Sequence, residues 1–309
     1  MSRSDLLEIE YRTYELPSDF PIKLIHGEDW RISDIPSGVL HFHNCVEIGI
    51  CESDGGWLDF LDGKRPFRKG DITFISGDIP HTTWSHPGTA SKWSYLFLDA
   101  EELLKPFFPL SMLPNAELFR ELLYGNSYIL PGAEYPRIAS SACAMVRELI
   151  EEKLNYEIAV RSLFLTLATE LMRLKAEDPY KNSNRTTPIA PALAYINQNY
   201  MKSFPIDRLA ECCRMSSSHF RKVFKRLMGM SPLEHLNHIR ILKACSLLRM
   251  TESSILDISI SVGFTSLSSF NRQFKSQMGV TPSQWRRHGL RNRKTSVLKY
   301  SGWLTPPKN

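Results

Sequence analysis

The chain has 309 residues, 42% of them hydrophobic, and a net charge of +5 from 38 Lys and Arg against 33 Asp and Glu. That length and balance suit two soluble globular domains with sizeable cores, and no apolar run approaches the length needed to span a membrane. The opening stretch "MSRSDLLEIEYRTYELPSDF" carries acids where a signal peptide would be basic and then greasy, so the chain is expected to be cytoplasmic.

Residues 20–100 read as a string of short strands. "GVLHFH", "VEIGICE", "GWLDFLD", "DITFIS" and "KWSYLFL" alternate or run apolar, and "ESDGG", "DGKR", "KGD" and "SGDIP" supply turns between them. This pattern suits a closed or sandwiched β structure. After Ala100 the texture becomes helical. Residues 137–176 have apolar side chains at helical spacing without Gly or Pro, and "EEKLNYE" marks a joint between two helices. The apolar stripe of such a hairpin must pack against its own β domain or against a second copy of the chain. Next comes the polar stretch "EDPYKNSNRTTP", a candidate linker.

Charge is divided unevenly along this plan. Residues 188–290 hold 14 Lys/Arg against 5 Asp/Glu, residues 291–309 add five basic residues and no acid, and residues 1–187 are left at −9. A basic C-terminal part joined to an acidic N-terminal part is the asymmetry of a nucleic-acid module attached to one with another task. The six cysteines, Cys45, Cys51, Cys143, Cys212, Cys213 and Cys245, form no CxxC pair and are expected to be reduced thiols, in neither a disulfide frame nor a zinc knuckle.

The basic part contains an internal repeat. At an offset of 50, Phe220, Phe224, Lys225, Gly229 and Pro232 match Phe270, Phe274, Lys275, Gly279 and Pro282; upstream, Ile206 matches Ile255 at an offset of 49. The second copy therefore has one extra residue in its turn, near Gly263. Each copy reads as helix, turn, helix. Phe220, Val223, Phe224 and Leu227 fall on one helical face and Ser218, Arg221, Lys222 and Lys225 on the other; Phe270 and Phe274 oppose Ser268, Asn271, Arg272 and Lys275. Ser216 and Thr265 or Ser266 are placed to cap these helices and Gly229 and Gly279 to end them, while Ser231 with Pro232 and Thr281 with Pro282 start the next ones. A single basic outer face is usually just solvated. Two copies with the same inward and outward pattern point to DNA, with Ser, Asn, Arg and Lys offered to phosphates and base edges from Ser217, Ser218, Arg221, Lys222 and Lys225 and from Ser268, Ser269, Asn271, Arg272 and Lys275. Between the copies, Leu233, Leu236, Ile241, Ala244, Leu247 and Leu248 form the apolar band of a linker helix. Recognition helices about 34 Å apart would enter successive major-groove segments on one face of the duplex.

These residues resemble the AraC/XylS family of bacterial transcription regulators. The resemblance rests on "LA" at Leu209, Ser216, "FRKVFK" at Phe220, "GMSP" at Gly229, Arg240, Ala244, "LL" at Leu247, "VGF" at Val262, "SSFNRQFK" at Ser268 and "GVTPSQWR" at Gly279, and covers about a hundred residues. It implies a pair of helix-turn-helix units joined by a linker helix. Two positions depart from the family pattern: Lys222 stands where Arg is frequent, a point charge in place of a fork, and Ser269 stands where Tyr is common.

In the N-terminal part, "HFHNCVE" places His41, His43 and Glu47 on neighbouring strand segments, and "GDITFISGDIPH" brings up His81. Three His and a carboxylate are a possible metal set. These stretches look like the two short motifs of cupin barrels, and the family resemblance implies a cupin-like sensor. Three readings compete: a metal-dependent enzyme site, a set of satisfied core histidines, and an effector pocket formed by His41, His43, Glu47 and His81 with Trp57, Trp84 and Trp93. The effector pocket is adopted, with no metal, no cofactor and no catalytic residue.

The expected protein is α+β. A cupin-like β-barrel (about 1–100) and a helical part (about 101–178) form a sensing and dimerisation domain; 179–188 is the linker, 189–290 the double helix-turn-helix domain and 291–309 a basic tail. The expected partners are double-stranded promoter DNA, a small-molecule effector such as a sugar, RNA polymerase and a second copy of the chain, with no membrane. Activation is expected from the resemblance alone.

Overall fold

Short β-branched and aromatic runs cut by glycine turns make the first hundred residues a strand region, and longer Gly-poor runs with a 3.6-residue apolar period make the remainder helical. The computed structural model describes residues 8–289 apart from 15, 18, 29, 108–111, 113 and 179–185, together with residues 297–299. The chain divides into two units, residues 1–187 with 295–309, and residues 188–294. The expected linker therefore lies largely outside the described residues, and the basic tail is described at 297–299 alone.

The first unit contains β1 (Glu8–Arg12), β2 (Ile22–His26), β3 (Arg31–Ile32), β4 (Val39–His43), β5 (Val46–Cys51), β6 (Gly55–Phe60), β7 (Gly63–Arg68), β8 (Asp71–Ile75), β9 (His81–Ser85), β10 (Ser91–Leu98) and β11 (Ser127–Pro131). One sheet runs β1-β4-β9-β6-β7. The other runs β11-β8-β5-β10-β2, with β3 beside β10 and the short β12 (Val297–Lys299) beside β2. Side-chain alternation splits the second sheet's residues between two cores. Val46, Ile48, Ile50, Leu96 and Leu98 pack towards the helices, whereas Cys51, Ile75, Trp93, Tyr95 and Phe97 join Leu58, Phe60 and Phe67 of the first sheet. Every residue of β5 is consequently buried.

Helices α1 (Ala100–Leu104), α2 (Ala116–Leu123), α3 (Pro136–Glu151) and α4 (Tyr156–Glu177) cover that outer core. Ile138, Ala142, Met145 and Leu149 of α3 and Val160, Phe164, Leu167 and Leu171 of α4 place the hairpin's stripe against its own β sheet. Within the hairpin, large apolar side chains stand exposed at its tip, at Ile150, Leu154 and Ile158.

The second unit is helical: α5 (Ala190–Asn199), α6 (Ile206–Cys212), α7 (Ser217–Met228), α8 (Pro232–Met250), α9 (Ile255–Ser261), α10 (Leu267–Met278) and α11 (Pro282–Gly289). Leu236, Ile241, Ala244 and Leu248 of α8 are buried and Leu247 is partly so, but Leu233 is exposed and leaves the expected apolar band. Leu233 sits in the first turn of α8 beside the exposed Glu234. Arg240 anchors α8: its guanidinium donates to the carbonyls of Tyr200 (2.7 Å) and Lys202 (3.0 Å) and lies over the ring of Phe264. All six cysteines are free, Cys45, Cys51 and Cys245 buried and Cys143 exposed. No helix among the described residues is long and apolar enough to cross a membrane.

Candidate nucleic-acid interface and a buried histidine cluster

The two copies fold alike, turn by turn. α6 ends with Met215 N–H donating to Ala210 O and Arg214 N–H to Glu211 O; α9 ends with Phe264 N–H to Ser259 O and Gly263 N–H to Ile260 O. This is the hydrogen-bond pattern of a helix stop that needs one left-handed residue, supplied by Arg214 (φ 53°) and by Gly263 (φ 95°). Four residues then lead to α7 and five to α10, so the extra residue lies in the turn, at Thr265. Ser216 and Ser266 accept from the backbone N–H of His219 and Ser269 as N-caps, and Gly229 and Gly279 close the helices with φ of 71° and 74°. The likeness continues beyond the glycines: Ser231 and Glu234 form a capping box on α8, and Thr281 and Gln284 exchange the equivalent bonds on α11.

With Phe220, Phe224, Phe270 and Phe274 fully buried, the opposite faces emerge. Ser218, Arg221, Lys222 and Lys225 are exposed on α7, and Ser268, Asn271, Arg272 and Lys275 on α10. Ser217 and Ser269 are half-buried, and the Ser217 hydroxyl is engaged by Asp207 of α6, so it braces the turn rather than standing open. His219 and Arg226 are exposed on α7 and were missed from sequence, although Arg226 follows Lys222 by one helical turn. Asn271, Arg272 and Lys275 line a groove with Thr281 and Ser283.

In the first unit, the four residues of the expected metal-type set come together. His41 and His81 face each other across β4 and β9, with ring centroids 4.5 Å apart, and the His43 ring is 5.3 Å from that of His81. Glu47 projects from β5 in the opposite sheet, its Oε2 3.3 Å from His43 Nε2 and 3.5 Å from His81 Nε2. One donor atom from each of the four lies within 4.8 Å of the others. Nδ1 of His43 and of His81 each bond a backbone carbonyl, Cys45 O and Ile79 O, both at 2.9 Å. Since a carbonyl only accepts, both Nδ1 atoms carry the proton, and both Nε2 atoms point at Glu47, to which they donate when the ring is protonated. Burial lowers the basicity of His41, reinforced by His81, and burial likewise lowers that of His43. For Glu47, burial pushes the carboxyl upward, but His81 and His43 more than offset it and the group stays below the usual carboxylate range.

The three tryptophans do not join this cluster, which corrects the expected pocket. His81 pairs with Phe60 and Trp84 with Trp57, so alternation sends His81, Leu58 and Phe60 inward and both tryptophans to the outer face. There Lys64 lies over Trp57 and Trp84, 4.8 and 5.1 Å from their centroids. Trp93 faces inward but is fully buried, stacked on Tyr95 and donating to Ser91 Oγ. The rings from outside the cluster that meet His43 are instead those of Tyr14 and Phe97.

A duplicated helix-turn-helix with a buried aromatic spine and a basic outer face defines a DNA-binding protein. A helix-turn-helix domain family model matches residues 209–288. The chain is 30% identical over 265 residues to the melibiose operon regulatory protein of Escherichia coli (strain K12), covering 82% of this chain and 85% of that one. It is 35% identical over 106 residues to the lactose operon transcription activator of Staphylococcus xylosus, covering 34% and 38%. Among solved structures, the DNA-binding domain of AdpA in complex with a target DNA is similar at 28% identity, covering 35% of this chain and 98% of that one, with a TM-score of 0.33. The chain belongs to the AraC/XylS family of transcription regulators, and its helical unit is an AraC-type DNA-binding domain.

Proposed function

We propose that this regulator is a cytoplasmic, sequence-specific activator that reads two successive major-groove segments of promoter DNA under the control of a small effector sensed in its cupin-like N-terminal unit. One observation carries the reading: α7 and α10 repeat the same buried spine and expose Ser218, Arg221, Lys222 and Lys225, and Ser268, Asn271, Arg272 and Lys275. Asn271 and Arg272 have the shapes that fork onto adenine and guanine, whereas Lys222 and Lys225 hold phosphates. Activation is supported by the lactose operon relative, which is a transcription activator, and contact with RNA polymerase is part of the same proposal. The exposed Ile150, Leu154 and Ile158 at the hairpin tip favour pairing of two chains there. No catalytic role is assigned to the histidine cluster. An effector acts by binding one arrangement of the protein better than another.

Selection from random duplexes tests the DNA reading. The expected outcome is a bipartite site with half-sites about 10 base pairs apart. Recovery of no preferred sequence would leave only a non-specific architectural binder.

A further inference from the structure

The second sheet of the N-terminal unit would end at β2, and the strand that covers that edge comes from the far end of the chain. Asp99 N–H donates to Pro21 O (3.0 Å), and Lys23 and Ile25 stand opposite Phe97 and Tyr95 of β10 in the same antiparallel register. Alternation along a strand then aims the main-chain groups of Lys23 and Ile25 at β10 and those of Leu24 and His26 away from it. Such an edge, on a strand whose Ile22, Leu24 and Ile25 are buried, is a template for a further strand. β12 fills it in parallel, pairing Val297 with Leu24, Leu298 with Ile25 and Lys299 with His26. Leu298 thus stands between the two residues whose groups are open.

This pair is built to open. It is three residues long, it is parallel, the weaker pairing per residue, and it closes a loop across the whole helical unit, residues 188–294. Charge decides what it competes with. Residues 1–187 carry −9, whereas the tail carries Arg291, Arg293, Lys294, Lys299 and Lys308 and no acid, so the tail is attracted to the sensing unit. Lys299 takes the register position opposite His26, whose ring is 3.6 Å from Glu52. Arg291, Arg293 and Lys294, however, come just after Gly289, the end of the DNA-binding domain's last helix. Duplex DNA carries one negative charge per about 1.7 Å of its axis, a far denser array than −9 spread over 187 residues. With DNA on the helical unit, the same cations are drawn to phosphates and the strand is pulled from β2.

We propose that the open edge of β2 is a docking site for the chain's own C-terminal strand, occupied in the free regulator and vacated when DNA captures the basic tail. The strand is an internal competitor of DNA and restrains the tail until a duplex is present. The inference needs only that the helical unit binds DNA, whether or not that binding is sequence-specific.

The test follows hydrogen exchange, resolved by residue, at Lys23, Leu24, Ile25 and His26 in the full chain and in Leu298→Pro, which removes one backbone N–H from the strand without altering charge. A duplex of random sequence serves as the DNA. The expected result is exchange roughly 10-fold faster at Leu24 and His26 in Leu298→Pro, with Lys23 and Ile25 unchanged. Leu298→Val, which keeps the N–H, should match the parent. Saturating duplex should raise exchange at Leu24 and His26 of the parent and leave Leu298→Pro as it was. By reciprocity, Leu298→Pro should bind the duplex roughly 5-fold tighter at low salt. Equal exchange in parent and Leu298→Pro overturns the proposal, and so does a rise at all four amides together, which marks a loosened unit. Parent exchange indifferent to duplex, or no gain in affinity, overturns it as well. Protection that falls on dilution places the strand on a second copy and rules out docking within one chain. Failure of the sequence selection above leaves all of these readouts in place.

Discussion

The two helix-turn-helix units share a frame and differ in what they carry on it. The first exposes Arg221, Lys222, Lys225 and Arg226 at positions where the second exposes Asn271, Arg272, Lys275 and Ser276. The first buries five side chains of α7, Phe220, Val223, Phe224, Leu227 and Met228, and the second buries only Phe270 and Phe274 of α10. His235 meets Phe224 in the first, and Trp285 meets Phe274 at the matching position in the second. The two copies share the caps, stops and aromatic spine, while their outer faces differ, with four basic residues in one copy and Asn, Arg, Lys and Ser in the other.

Substitutions at matched positions can break this comparison. The largest effect is expected from Phe274→Ala, about 3–5 kcal/mol of stability, because α10 has only two fully buried anchors; urea unfolding of the full chain measures it, and a loss under 1 kcal/mol would remove the spine from the account. Gly263→Ala should cost about 2–3 kcal/mol, since its Cβ would lie 2.7 and 2.8 Å from the carbonyls of Tyr200 and Met201 at a φ of 95°. Arg214→Gly, at the matching position, should instead be neutral or stabilising by up to about 1 kcal/mol. Arg272→Ala should weaken specific DNA binding by about 1–3 kcal/mol and relax one base pair, whereas Lys225→Ala lowers affinity on all sequences and flattens the salt dependence. Equal losses on specific and random duplexes for both would contradict a division between reading and gripping.

The smallest effect sharpens the contrast through pH. Burial, with His238 nearby, holds the pKa of His235 down to about 3 from 6.5. Between those values the unfolded chain binds a proton that the folded chain refuses. The contribution is therefore intact above about pH 6.5 and is lost as pH falls, at up to about 1.4 kcal/mol per unit, so the effect is small only just below pH 6.5. His235→Phe should remove that part of the acid slope in an unfolding series, and an unchanged slope would show that the ring is solvated.

How much of this was legible in the sequence followed from local physics. The repeat was readable because each copy checks the other: two phenylalanines one turn apart, a capping serine and a closing glycine recur at one offset. β4, β5, β6, β8 and β10 were readable from apolar runs between turns. β7, "GKRPFR", read as part of a turn because its exposed face is charged, and β11 was hidden in a helical region because its partner β8 is over fifty residues away. Missing β9 as a strand also misplaced Trp84: it lies three residues after His81, an odd number, which in a strand means the opposite face. His41 and His43 could be put on one face from spacing, but the carbonyls that fix the ring protons are a tertiary matter. The same holds for Ser217, whose partner Asp207 is set by how the two helices meet.

α8 lends buried side chains to the spine that both copies lean on, and its 19 residues give it a length of about 28 Å. A helix of that kind is a ruler with a built-in angle. Each residue added to or removed from it would turn one copy by about 100° and slide it by about 1.5 Å relative to the other. If both copies engage one duplex as proposed, substitutions on the exposed faces of α7 and α10 would change the target sequence, while the count of residues in α8 would be tied to the pitch of the double helix.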